Sequence, residues 1–191
     1  MELNRNLCPE IFNSNIFVSK PGAEPARVVA HSHYFDPLQG AGGNSRRWGD
    51  ASRGVQSRVV AEILTQGAKL PRSDLAFALA VAKVESGFNP DAAAGTSSAS
   101  GIGQFIDKTG KAFGLDDSNR FEIKANIKAF LTHLKENLSL ARASRSEEHS
   151  VYQLAYALHH DGPSLSYGGA EIAKKRVLPE LEKMEKFLNC R

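Results

Sequence analysis

The stretch that decides the fold runs from Asp74 to Asp91, "DLAFALAVAKVESGFNPD". Leu75 through Ala82, and then Val84, place apolar side chains on every face of a helical projection. A helix that is apolar all round is one buried in the centre of a small domain. Ser73 reads as its N-cap with Asp74 in the first turn, and Asn89-Pro90 reads as its end. Glu85 stands where this helix gives out. There the backbone dipole is negative and apolar neighbours withhold solvent, so both effects disfavour the ionised carboxylate. A glutamic acid held protonated near neutral pH can pass a proton to a leaving oxygen. The competing reading is a frayed surface glutamate.

The texture on either side agrees with a mostly α domain. "VQSRVVAEILTQGAKL" puts Val55, Val59, Ile63 and Leu64 at helical spacing, with Gly67 as a stop. "FNPDAAAGTSSASGIGQ", residues 88–104, is small, polar and glycine-rich, and predicts an extended loop or weak hairpin. "DKTGKAFGL" adds a short helix. Ile123, Ile127, Phe130, Leu131, Leu134 and Leu138 form one amphipathic stripe; Val151, Leu154, Ala155 and Leu158 form another. A last helix carries Ala173, Val177, Leu181, Met184 and Leu188, and Pro179 either kinks it or starts a new one. Residues 1–52 are dense in Gly, Pro, Asn and Asp without a sustained period. They read as an irregular extension that packs on the core through Phe12, Phe17, Tyr34, Phe35 and Trp48. The division is therefore 1–52 and 53–191, with about six helices and one small lobe.

The bulk properties narrow the function classes. At 191 residues the chain can bury one good core. A net charge of +3 suits an anionic polymer and is too small to argue for nucleic acid; no short helix concentrates basic and amide residues for DNA. No run is long and apolar enough to span a membrane. The first residues lack the basic start and apolar centre of a secretory signal, so the expected routes are action in the compartment of synthesis or export by a specialised apparatus. Cys8 and Cys190 leave two readings open, unpaired thiols or one bridge joining the two ends in an oxidising compartment.

Four segments in order carry a family resemblance. "ESGFNPDA" resembles the Glu-Ser motif of the lysozyme-like glycosidases, the superfamily of soluble lytic transglycosylases and goose-type lysozymes. "SASGIGQFIDKT" resembles their Gly-Leu-Met-Gln segment with its following threonine, here Thr109. "NIKAFLTHL" resembles their Asn-Ile helix, and "LAYALHHDGPSLSYGG" their Ala-Tyr-Asn-Ala-Gly-Pro-Gly segment with its trailing tyrosine. The likeness covers roughly residues 55–167. It implies a lysozyme-like catalytic domain in 53–191 that cuts the β-1,4 bond between N-acetylmuramic acid and N-acetylglucosamine in peptidoglycan. Glu85 would be the catalytic acid. Ser86 and Gln104 would be polar groups of the cleft, Gly101 and Gly103 would let backbone approach the sugar, and Tyr167 would stand on the far wall. No cofactor and no metal are implied.

The departures carry equal weight. Where the family has tyrosine, asparagine and alanine before Gly162-Pro163, this chain has His159, His160 and Asp161. The family tyrosine supports the catalytic glutamate, so His160 or Asp161 is the expected substitute, with His160 a substrate-binding candidate. A metal site from the three is disfavoured because adjacent helical residues point different ways; two surface histidines are expected instead. A hydrolase needs a second carboxylate to activate water. Asp161 is the candidate, which makes an N-acetylmuramidase the expected activity. The alternatives are a lytic transglycosylase, in which the sugar's own 6-hydroxyl closes an anhydro ring, a phage endolysin, and a catalytically silent glycan-binding module. The same segments look like the lysozyme-like antibacterial effectors of type VI secretion. That resemblance implies action in the periplasm of a target cell and a cognate immunity protein occluding the cleft.

Overall fold

The computed structural model describes residues 51, 53–94 and 97–189; the expected extension apart from Ala51, and both cysteines, lie outside them. The described chain is mostly helical: α1 Arg53–Gln66, α2 Arg72–Ser86, α3 Asp107–Ala112, α4 Ile123–Ser144, α5 Glu148–Asp161, α6 Gly169–Ile172 and α7 Leu178–Asn189. A 3-10 turn, Gly162–Ser164, follows α5, and a π turn, Ala173–Val177, joins α6 to α7. This is the mostly α, lysozyme-like architecture expected from the sequence.

The central element is α2. Every residue from Ala76 to Ala82 is fully buried. Alanines at 76, 78, 80 and 82 let neighbours approach closely, while Phe77, Leu79 and Val81 fill the space between them. The C-terminal helix α7 packs most extensively against α2, and α4 against α5. Gly67 ends α1 for a packing reason: a Cβ there would sit 2.7 Å from Leu75 Cδ1 and 2.8 Å from the Ile63 carbonyl oxygen.

Both predicted ends of α2 are corrected. Ser73 is not the N-cap; Pro71 holds that position in extended backbone, with no side-chain cap, and the Ser73 hydroxyl instead pairs with Tyr152. Pro fits a helix entrance because its missing N–H has no partner there in any case. The helix stops at Ser86, ahead of Asn89-Pro90. Gly87 takes the left-handed conformation (φ 60°) and its N–H turns back to the Ala82 and Lys83 carbonyls. Phe88 is left-handed too (φ 56°) and wholly buried. A non-glycine residue is held there only where its surroundings over-determine it.

The small lobe is a weak hairpin, as expected. Ala93 bridges to Ser100, and Ser100 to Phe105, both antiparallel. It has too few ladder bonds to stand alone. Arg120, 3% exposed, supplies what is missing. Its guanidinium donates to Asp107 Oδ1 (2.5 Å) and to the carbonyls of Phe105 (2.9 Å) and Ser98 (3.3 Å). Asn126, fully buried at the start of α4, ties the lobe to the helices. Its Oδ1 accepts from the Gly103 N–H and its Nδ2 donates to the Arg120 carbonyl.

Of the two readings of Pro179, neither is quite what forms. The helix runs on through the π turn and Pro179 is the second residue of α7. Proline cannot bond the carbonyl four residues back, here Lys175, and its ring crowds that oxygen; a widened turn relieves both.

Candidate active site

The C-terminus of α2, the lobe, α4, α5 and the π turn converge on Glu85. Glu85 ends up there because α2 is buried along its length and Gly87 turns the chain just beyond it. Its side chain is 9% exposed, and its Oε1 is buried without a hydrogen-bond partner. Burial pushes its carboxyl above the ordinary glutamate range, and the Tyr156 hydroxyl and the charges of His160 and Arg176 offset this only in part. None of those neighbours is a second carboxylate. The result is a carboxyl group that holds its proton at higher pH than an exposed one and has an oxygen to spare.

Around it α5 presents two residues about one turn apart. Tyr156, fully buried, faces Glu85; burial first, then the Glu85 charge, push its hydroxyl far above its usual range, so it stays protonated. His159 is not a surface histidine. Its side chain is 4% exposed, and its Nε2 lies 3.9 Å from Glu85 Oε1. Its ring sits against His133, Phe105, Phe130 and Tyr156, with centroids 5.2, 6.1, 6.0 and 6.2 Å away. Burial pushes it down to about 3, and burial pushes His133 down to about 4. Both imidazoles are therefore neutral at neutral pH.

His160 and Asp161 turn the other way. His160 is partly exposed, and its Nδ1 lies 2.5 Å from Asp161 Oδ1. Both Asp161 oxygens also accept from the Gly169 N–H, at 3.1 and 3.0 Å. Burial works to raise the Asp161 pKa, but the His160 side chain and the backbone N–H groups of Gly169 and Tyr167 outweigh it and leave it below the usual range. Asp161 is thus a buried carboxylate that holds the start of α6, with both oxygens hydrogen-bonded.

The other expected site residues divide. The Gln104 amide nitrogen is spent on the carbonyls of Gly101 (2.8 Å) and Ala92 (3.3 Å), while its Oε1 is buried without a partner. Its backbone is left-handed (φ 49°), a second strained non-glycine position after Phe88. Ser86 turns its hydroxyl onto its own helix, donating to the Ala82 carbonyl at 3.0 Å. The glycines at 101 and 103 are required by the interior. A Cβ at Gly101 would lie 2.2 Å from Asn126 Nδ2, and one at Gly103 2.9 Å from the Phe105 ring. Tyr167 is 75% exposed on the loop before α6. Among the described residues no group of three or more His, Cys, Asp or Glu side chains is arranged to hold a metal ion, and no helix is long and apolar enough to cross a membrane.

Tyr156, His133 and Arg176 were not singled out by sequence reasoning, whereas Asn126 opens the Asn-Ile segment. For Tyr156 and His133 the signal was the i, i+3/i+4 spacing of Tyr152, Tyr156 and His159 on α5, and of His133 and Asn137 on α4. Residues 62–159, just over half of the 191, match the family profile described as "Transglycosylase SLT domain". No curated protein and no solved structure gives a significant match.

Proposed function

This chain belongs to the transglycosylase SLT domain family, and from that premise we propose that it cuts peptidoglycan glycan strands as a lytic transglycosylase with Glu85 as the acid. The observation that carries the reading is the Glu85 carboxyl itself: buried at the end of α2, raised in pKa by that burial, with Oε1 unpartnered. In the first step its proton passes to the glycosidic oxygen as the bond to the muramic C1 breaks. In the second, the carboxylate takes the proton of the same sugar's 6-hydroxyl as that oxygen bonds to C1, closing a 1,6-anhydro ring. Glu85 is regenerated and no water is consumed.

What favours this over the N-acetylmuramidase expected from sequence is the state of Asp161. A base must have an oxygen open to water, and the Asp161 side chain is 1% exposed. The Asp161 oxygens are engaged by the Gly169 N–H and by His160. We further propose that Gln104 Oε1, lacking a protein partner, accepts a hydrogen bond from the sugar. His160 and Tyr167, on the exposed side, would line the glycan path. Mass spectrometry of digested peptidoglycan tests the chemistry. 1,6-anhydro products are expected; reducing ends instead would return Asp161 to the role of base, and intact glycan would leave a silent binding module.

The delivery reading extends the proposal: an antibacterial effector of type VI secretion acting in a target cell's periplasm, with an immunity protein as partner. It is supported by the sequence likeness of the segments around Glu85 and Gly162-Pro163. The neighbouring open reading frame tests it. A small protein with a signal peptide is expected, whereas a holin gene points to a phage endolysin.

A further inference from the structure

A line of hydrogen-bonding groups runs from the face of α4 to Glu85. Asn137 Nδ2 lies 3.3 Å from His133 Nε2. His133 Nδ1 lies 3.3 Å from His159 Nδ1. His159 Nε2 lies 3.9 Å from Glu85 Oε1.

The chemistry of the first group fixes the rest. An amide nitrogen only donates, so His133 Nε2 accepts and its single proton sits on Nδ1. That N–H donates to His159 Nδ1, so the His159 proton sits on Nε2, the nitrogen facing Glu85. We propose that His159, locked in this tautomer by His133 and Asn137, is a positioning residue that aims a neutral N–H at Glu85 Oε1. This rests on the reading of Glu85 as the reacting acid.

The arrangement answers a conflict in the proposed reaction. Glu85 must keep its proton until the bond breaks, then exist briefly as a buried anion. The Tyr156 hydroxyl and the charges of His160 and Arg176 support that anion in part, and a further full charge against it would strip the proton early. An uncharged N–H favours the ionised form without imposing a full charge. At 3.9 Å it is not yet a hydrogen bond, and an approach of about 1 Å makes it one. The proton then leaves from Oε2, the other carboxyl oxygen. The charged or titratable neighbours are His133 from α4, Tyr156 and His160 from α5, Glu85 from α2 and Arg176 from the π turn.

The test is NMR on the full-length protein without substrate, so its outcome is separate from whether peptidoglycan is cut. Histidine 15N spectra at neutral pH are expected to show a bare Nδ1 and a protonated Nε2 on His159, with the reverse on His133. A His159 proton on Nδ1, or a cationic ring, overturns the proposal. The Glu85 side-chain carbon then reports its titration in the wild type and in His133→Phe, which keeps the aromatic contacts with Phe105 and Phe113. Without His133 the directed N–H is lost and a bare Nε2 can accept a hydrogen bond from the protonated Glu85 carboxyl. Both effects raise the Glu85 pKa, by about one unit. Asn137→Leu is expected to give the same shift in part and to yield both His159 tautomers, and it stands in if His133→Phe does not fold. A purely structural pair leaves the Glu85 titration where it was.

Discussion

The helix α2 carries two buried carboxylates, one at each end, and they are treated in opposite ways. Asp74, 4% exposed, is saturated. Arg142 binds it through both oxygens, at 2.5 and 3.0 Å, and the Tyr152 hydroxyl adds a third contact at 3.1 Å. Tyr152 in turn reaches Glu148. Glu85, 7% exposed, has a buried oxygen with no partner, beside a histidine that is not charged. A buried ion that is paired and hydrogen-bonded holds the fold together; one left short is a cost that persists at sites where the missing partner arrives with a ligand. The Arg142 and Tyr152 contacts tie α2 to α4 and α5 at its first turn, whereas nothing comparable ties down Glu85 at its last.

The contrast can be broken most strongly at Glu85. Glu85→Gln is expected to lower peptidoglycan digestion about 10³-fold, since the amide has no proton to give. The same variant is expected to gain stability. The folded pKa of Glu85 lies above its ordinary 4.5, so above that pH the native state holds a proton the unfolded chain has lost. Wild-type stability therefore falls as pH rises from 4.5 through the folded pKa, and glutamine escapes that loss. Thermal unfolding at about pH 5 and about pH 8 should show the advantage widening with pH. An advantage that stays flat or shrinks with pH would mean that the fold does not disfavour the ionised Glu85.

Asp74→Ala should do the reverse. It strands Arg142 and Tyr152 and is expected to cost about 2 kcal/mol, or about 4–8 °C in melting temperature, with digestion per folded molecule unchanged. The cost stays moderate because the Arg142 side chain is 46% exposed and can turn to water. A loss of turnover larger than the loss of folded protein would show that the two ends of α2 are coupled. The smallest effect is expected at Ser86→Ala, next to Glu85 but with its hydroxyl on the Ala82 carbonyl: stability within about 0.5 kcal/mol and activity within about twofold. A tenfold loss of activity would mean that the hydroxyl leaves the helix to meet the sugar.

The parts legible in sequence are those written in local pattern. The all-round apolar run of α2 marked it as the central helix, and the stripe of α4 marked its buried face. On α5 the stripe was only partly right. Leu154 and Leu158 are half-buried, while Tyr152 and Tyr156 are among the largest wholly buried side chains. Aromatic polar residues read as surface until their hydroxyls find partners, and those partners lie on other helices. The expectation of two surface histidines holds for His160 and fails for His159: adjacent on one helix, they point about a quarter-turn apart, and sequence does not say which one faces inward.

By itself, then, the chain of residues determined the helices, the buried α2 and the position of Glu85 at its end, because these follow from periodicity and from the family motifs around it. Only the tertiary structure decided which groups surround Glu85: a neutral His159 backed by His133 in place of His160, and an Asp161 bound to the start of α6. Burial and partner geometry set the charge state of a side chain, and both are made by segments far apart in sequence.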